Sequence, residues 1–143
     1  MSTPLSSRYG FLLGAALLTS PFLSACNASK AMHSSDAVPA SEGTVRATAG
    51  ADGNTDVRIM VKHLADPNRV KAGATTYVVW FQPAGGENQN VGAMTVDTNR
   101  NGRFDGSSPH RTFQVSVTPE TSGQASSPTN PPVFSSSVDR RGK

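Results

Sequence analysis

Asp97-Thr98-Asn99-Arg100-Asn101-Gly102 places an oxygen-bearing side chain at every second position and closes on a glycine, which is the opening of a calcium loop. In such a loop Asp97, Asn99, Asn101, the Arg103 carbonyl and Asp105 supply oxygens, and Gly102 makes the sharp turn. The twelfth position, where a bidentate Glu should close the shell, is Ser108. Arg100 and Arg103 offset the charges of Asp97 and Asp105, which weakens the attraction for a dication. The same residues also make a β-hairpin, with Asn-Gly between alternating apolar runs. Gly102 then takes positive φ, and the asparagines tolerate left-handed geometry. A two-residue Asn101-Gly102 turn would set Arg100 opposite Arg103, a like-charge pair; a longer loop with Gly102 left-handed avoids it. The corner is the expected role, joining the strand that ends near Val96 to residues around Phe104. Calcium binding by Asp97, Asn99, Asn101 and Asp105 is the alternative.

Other candidate chemistry is sparse. His63 and His110 could pair with Asp56, Asp66 or Asp105, but their spacing matches no zinc or copper pattern. Solvated histidines are expected there and at His33. The chain has no Gly-x-Ser-x-Gly elbow. It has no carboxylate pair set among apolar residues that would tune a general acid. Gly85-Gly86 precedes no helix, which excludes a phosphate loop. A non-enzymatic protein is expected, with no small-molecule substrate and no cofactor beyond the calcium alternative. The net charge of +3 is spread thinly, and no basic stripe interleaved with aromatics is available to track nucleic acid. The tail Arg140-Arg141-Gly142-Lys143 offers at most weak attraction to anionic headgroups.

The N-terminus is more specific. A polar start ending in Arg8 precedes the short apolar run Tyr9–Leu18, with Pro21 following. The run is shorter than the roughly 20 apolar residues that span a bilayer and fits the hydrophobic region of an export signal. Leu23-Ser24-Ala25-Cys26 resembles the lipobox of bacterial lipoproteins. That resemblance implies a signal peptide over residues 1–25, cleavage before Cys26, and a covalent lipid on Cys26. Ordinary cleavage at the same place would put bulky Leu23 where a small residue is wanted. A lone cysteine in an exported chain is also an awkward thiol unless it is modified. Several acyl chains, at about 0.8 kcal/mol per buried methylene, hold a protein on a membrane essentially permanently. Asn27 is not the Asp that retains many lipoproteins in the inner membrane, so outer-membrane sorting is compatible where such a membrane exists.

The elements that position these residues follow from composition and period. Aromatics are 6% and charged residues 16%, with abundant Gly, Pro, Ser and Thr, a mix that suits a small β-rich exported domain. Residues 26–42 are small and polar and read as a lipidated flexible tether. From Gly43 the pattern turns to short alternating segments. Val57, Ile59 and Val61 share one face of a half-buried strand, opposite Arg58, Met60 and Lys62. Tyr77, Val79 and Phe81 alternate with Val78 and Trp80, which predicts a central strand buried on both faces. Phe113, Val115 and Val117 share a face, and an apolar strand from Val133 precedes the tail. About seven short strands and no helix predict an all-β fold, an immunoglobulin-like antiparallel β-sandwich over residues 43–139. Trp80 and Phe113 are its expected structural core, with Trp80 the residue on which both sheets pack. Residues 140–143 form the basic tail.

The segments Tyr77–Gly86, Asn90–Asp97, Phe113–Glu120 and Ser126–Phe134 resemble, in order and spacing, the C-terminal extracytoplasmic domain of anti-sigma-K factors. The resemblance covers Thr75 to about Val138 and contains no catalytic motif. The family's Glu-Pro after the Phe/Val strand stands here as Pro119-Glu120, and the regulator's sigma-binding domain and transmembrane helix have no counterpart. What it implies is the fold, an extracytoplasmic compartment and a non-enzymatic domain. The expectation is a lipid-anchored bacterial envelope protein facing away from the cytoplasm, whose partners are the membrane and an envelope protein of unknown identity.

Overall fold

Strict alternation makes Thr55–Lys62 a strand with one apolar face: Thr55, Val57, Ile59 and Val61 are buried and the residues between them exposed. The computed structural model describes residues 28–140. Residues 1–27, which include the expected signal peptide and Cys26, and residues 141–143 lie outside the described residues. Ten strands and one short helix are described: β1 (Lys30–Ala31), β2 (His33–Ser34), β3 (Glu42–Ala49), β4 (Thr55–Lys62), α1 (Pro67–Val70), β5 (Thr76–Pro83), β6 (Gln89–Ala93), β7 (Thr95–Val96), β8 (Gly102–Ser108), β9 (Thr112–Glu120) and β10 (Phe134–Asp139).

The strands form two antiparallel five-stranded sheets, β1-β3-β4-β8-β7 and β2-β10-β9-β5-β6. With β1 and β2 set aside, β3 to β10 take the places A, B, C, C′, D, E, F and G of an immunoglobulin sandwich, A-B-E-D against G-F-C-C′. Val45, Val57, Ile59, Val61 and Phe104 of one sheet meet Tyr77, Val79, Phe81, Phe113, Val115, Val117, Phe134 and Val138 of the other in one apolar core. Phe81 is central, with its ring 4.8 Å from that of Phe113 and 6.1 Å, edge-on, from that of Phe104.

Four expectations need correction. The segment taken for a tether is built into the fold from Lys30 onward. Lys30 pairs with Val45, and Ser34 pairs with Phe134 a hundred residues away. Met32 and Val38 are buried, and the Ser41 hydroxyl donates to the His63 carbonyl at 2.7 Å. Its polar composition hid this, because two-residue strands held by backbone hydrogen bonds need no apolar period. Arg140 is likewise part of the domain rather than tail: Nε donates to Thr55 Oγ1 at 2.8 Å and Nη2 to the Gly53 carbonyl at 2.9 Å. The strand expected to end near Val96 splits into β6 and β7, which lie in different sheets. Finally, Pro67–Val70 makes one helical turn, with Asp66 accepting from the Asn68 N–H as its N-cap and Pro67 preset for the first position.

The topology gives the sandwich two ends. One carries the β3–β4 hairpin, the 84–88 turn and the 109–111 loop. The other carries the 35–41 segment, α1, the 97–101 turn and the long 121–133 connection.

Candidate functional site

The 97–101 turn is a three-residue hairpin loop closed by its own aspartate. Asp97 N–H donates to the Asn101 carbonyl at 3.0 Å, and Arg100 N–H donates to the Asp97 carbonyl at 3.0 Å. The Asp97 carboxylate accepts from the backbone N–H groups of Asn99 and Asn101, each at 2.8 Å, and from Asn101 Nδ2 at 3.1 Å. The Asn101 N–H is the chief cause of a carboxyl held below its ordinary range, and the Asn101 amide and Asn99 N–H add to it against a small cost of desolvation. The left-handed residue is Arg100, at φ 62°, and Gly102 does not have positive φ. This corrects the expected geometry: a type I turn followed by one left-handed residue is the usual three-residue hairpin, and Arg100 occupies that place.

Gly102 is glycine for a packing reason. A Cβ there would lie 2.4 Å from Met94 Sδ and 3.1 Å from Leu64 Cδ2. Gly102→Val is therefore expected to destabilise the domain by about 1–3 kcal/mol through overpacking, read from urea unfolding. A second change, Met94→Ala, should recover part of the loss by opening space. Equal destabilisation with and without Met94 would rule out this account.

Asp105 is carried away from the turn. Gly102–Ser108 is extended strand, so four residues past Asn101 Asp105 stands about 13 Å along the sheet. There it accepts from Arg58 Nε at 2.5 Å and Arg103 Nε at 2.7 Å. Those hydrogen bonds, Arg103's first, and the two positive charges lower its carboxyl from the ordinary value. Asp97, Asn99 and Asn101 are thus together and Asp105 is apart. Thermal unfolding is expected to give the same midpoint in millimolar calcium and in chelator, for the wild type and for Asp97→Asn with Asp105→Asn alike. A calcium-induced rise that the double variant loses would reverse this, because ligand binding to the folded state raises the midpoint.

Trp80 is fully buried, but not between the sheets. Tyr77, Val79 and Phe81 belong to the inter-sheet core, while Trp80 lies on the opposite face of β5. Its register neighbours there are Ser116 and Asn90. The 121–133 connection lies across this face as a strap. At the β6 edge Asn90 Nδ2 donates to the carbonyls of Gly123 and Ala125 at 3.0 and 2.7 Å. At the other side the strap is held by Glu120, whose side chain is 1% exposed. Trp80 Nε1 donates to Thr118 Oγ1 at 2.8 Å, and Thr118 Oγ1 donates to Glu120 Oε1 at 2.6 Å. The Thr129 N–H and hydroxyl donate to the two Glu120 oxygens. Burial pushes the Glu120 carboxyl up, yet the donors from Thr118, Thr129 and Asn130 outweigh it and hold the group below its ordinary value. This network was missed because only the Phe113, Val115 and Val117 face of the strand was read, whereas β9 continues through Glu120. Thr118 and Glu120 alternating in phase with Ser116 was the available signal.

The histidines are not brought together. His63 follows the end of β4, and the His110 carbonyl accepts from Thr55 Oγ1 at the strand's start, about 25 Å away by strand rise. Among the described residues no group of three or more His, Cys, Asp or Glu is placed to hold a metal ion. No described helix is long and apolar enough to cross a membrane. No family model matches the chain, and no curated protein or solved structure matches it.

Proposed function

We propose that this chain is a bacterial envelope lipoprotein, anchored through lipid on Cys26, that presents one non-catalytic immunoglobulin-like sandwich as a binding or structural module. The observation that carries the reading is Leu23-Ser24-Ala25-Cys26 after a short apolar run, with Cys26 the chain's single cysteine. The likeness of Thr75 to Val138 to an extracytoplasmic anti-sigma-K domain supports the compartment. Sigma-factor control is not carried over with it. The partners in this reading are the membrane and an envelope protein, with outer-membrane residence where that membrane exists.

The short lead from Cys26 to the first strand refines the reading. Three residues separate Cys26 from Lys30, and the four steps between them span at most about 14 Å of extended chain. β1 runs antiparallel to β3, with Lys30 opposite Val45 and Ala31 opposite Thr44. The chain therefore enters from the end where β3 finishes, so a lipid on Cys26 sets that end against the bilayer. The 97–101 turn, α1 and the strap then face outward as the docking end for a protein partner.

Intact mass of the membrane-purified chain is expected to show a mature start at a diacylated, N-acylated Cys26. A chain beginning elsewhere, or a free thiol at Cys26, would sink the proposal.

A further inference from the structure

The solvent face of the β3-β4-β8 sheet carries an imbalance of charge that the fold does not resolve. Arg46 stands directly opposite Arg58, and Arg58 directly opposite Asp105, in one row across three strands. Arg103 lies two residues from Asp105 on the same face of β8. Two guanidinium groups thus share the Asp105 carboxylate, and a third, that of Arg46, stands beside them. Asp105 engages Arg58 and Arg103 only through Nε, at 2.5 and 2.7 Å. Their terminal nitrogens make no hydrogen bond among the described residues, and both side chains are more than half exposed, at 54% and 56%. Among the described residues Arg46 has no ion-pair partner.

The remaining charges on this face, Asp56 and the Glu42–Lys62 pair, reduce the surplus to one positive charge. Asp56 is the nearest other carboxylate, and it leans toward the β3–β4 hairpin, its oxygens 3.0 and 3.1 Å from where a Gly50 Cβ would stand. Glu42 and Lys62 oppose each other at the far end of the same strands. Like charges directly opposite in a sheet are unfavourable, so the Arg46–Arg58 pair is a cost that a bound anion would relieve. A depression of about 570 Å³ lies over this row, lined by Arg46, Thr48, Asp56, Arg58 and Asp105, with Arg103 outside its lining and joined to it through Asp105.

We propose that Arg46, Arg58 and Arg103 form a receptor for a phosphate group, with Asp105 as the positioning residue that fixes two of the guanidinium planes. With Nε engaged, the terminal forks of Arg58 and Arg103 keep donors free of protein partners among the described residues, and such forks match the oxygen spacing of phosphate. The Thr48 hydroxyl adds a neutral donor at the rim. The phosphate can come from a free phosphate ester or a phospholipid headgroup, and the site chemistry is the same for both. This inference does not depend on the lipid at Cys26.

The test uses the full chain in neutral detergent at low ionic strength, followed by arginine Nε–H resonances. Titration with inorganic phosphate is expected to shift the signals of Arg46, Arg58 and Arg103 saturably, with half-saturation on the order of 1 mM, weakening as salt rises. Arg46→Gln with Arg58→Gln should abolish saturation while the Trp80 indole signal stays in place, and Lys62→Gln should leave binding unchanged. Short-chain phosphatidylglycerol binding more tightly than inorganic phosphate assigns the site to a headgroup, and the reverse order assigns it to a free ester. Chloride at matched ionic strength producing the same shifts, or the double variant binding like the wild type, would overturn the proposal.

Discussion

Trp80→Ala is expected to cost about 3–5 kcal/mol of folding stability, the range for truncating a fully buried large aromatic. The ring sits on the outer face of β5 beneath the strap and is 0% exposed. Its loss leaves a cavity between a rigid sheet and an irregular segment, and removes the donor to Thr118. The strap is the softer wall, so the loss should show there first. Hydrogen exchange over residues 121–132 is expected to quicken in Trp80→Ala more than exchange in β4 or β8. Trp80→Phe, which keeps much of the volume and loses only the N–H, should cost considerably less. A melting temperature within a few degrees of the wild type in Trp80→Ala would mean that the ring is not enclosed as described. Marginal stability of a domain this size makes the effect easy to detect.

Glu120→Ala should cost on the order of 3 kcal/mol, because it leaves several donors aimed at an empty place in a buried site. The Thr118 hydroxyl and the Thr129 N–H and hydroxyl all donate to this one carboxylate. Glu120→Gln keeps the shape and one acceptor oxygen, so it should fall between the two. The carboxyl is held below its ordinary value of 4.5, which fixes the sign of a pH dependence. A carboxylate with a depressed folded-state pKa contributes stability that is fully present above the unfolded value and is lost as pH falls through the folded one. Wild-type stability should therefore decline as pH drops below about 4.5, and part of that decline should be missing in Glu120→Gln. Identical acid limbs in the two proteins would show that Glu120 does not carry this linkage.

The alternation of Val57, Ile59 and Val61, and of Phe113, Val115 and Val117, was legible because a half-buried strand writes its face into every second residue. The class of fold follows from several such segments punctuated by turns. The apolar run Tyr77–Phe81 likewise announced a strand covered on both sides. The same residues did not announce what covers each side. Trp80 could have met the opposite sheet or a loop, and only the placement of the 121–133 strap decided it. Gly102 is a similar case. An Asn-Gly pair signals a corner, but the positive φ fell to Arg100, while the glycine is required by Met94 on another strand.

What the sequence determined by itself was local: strand periods and the Asp97 corner, and the functional proposal likewise starts from a local motif, Leu23-Ser24-Ala25-Cys26. Tertiary structure alone decided the partnerships between distant residues. It drew Lys30–Ser34 onto the edges of both sheets, set Arg46, Arg58 and Asp105 in one row, and closed the strap on Glu120. The physical reason is that backbone pairing and buried polar contacts join residues tens of positions apart, and such pairs leave no period in the chain. Residue type and spacing record which way a side chain must face, whereas what it meets there is fixed only when the strands take their order in the sheets.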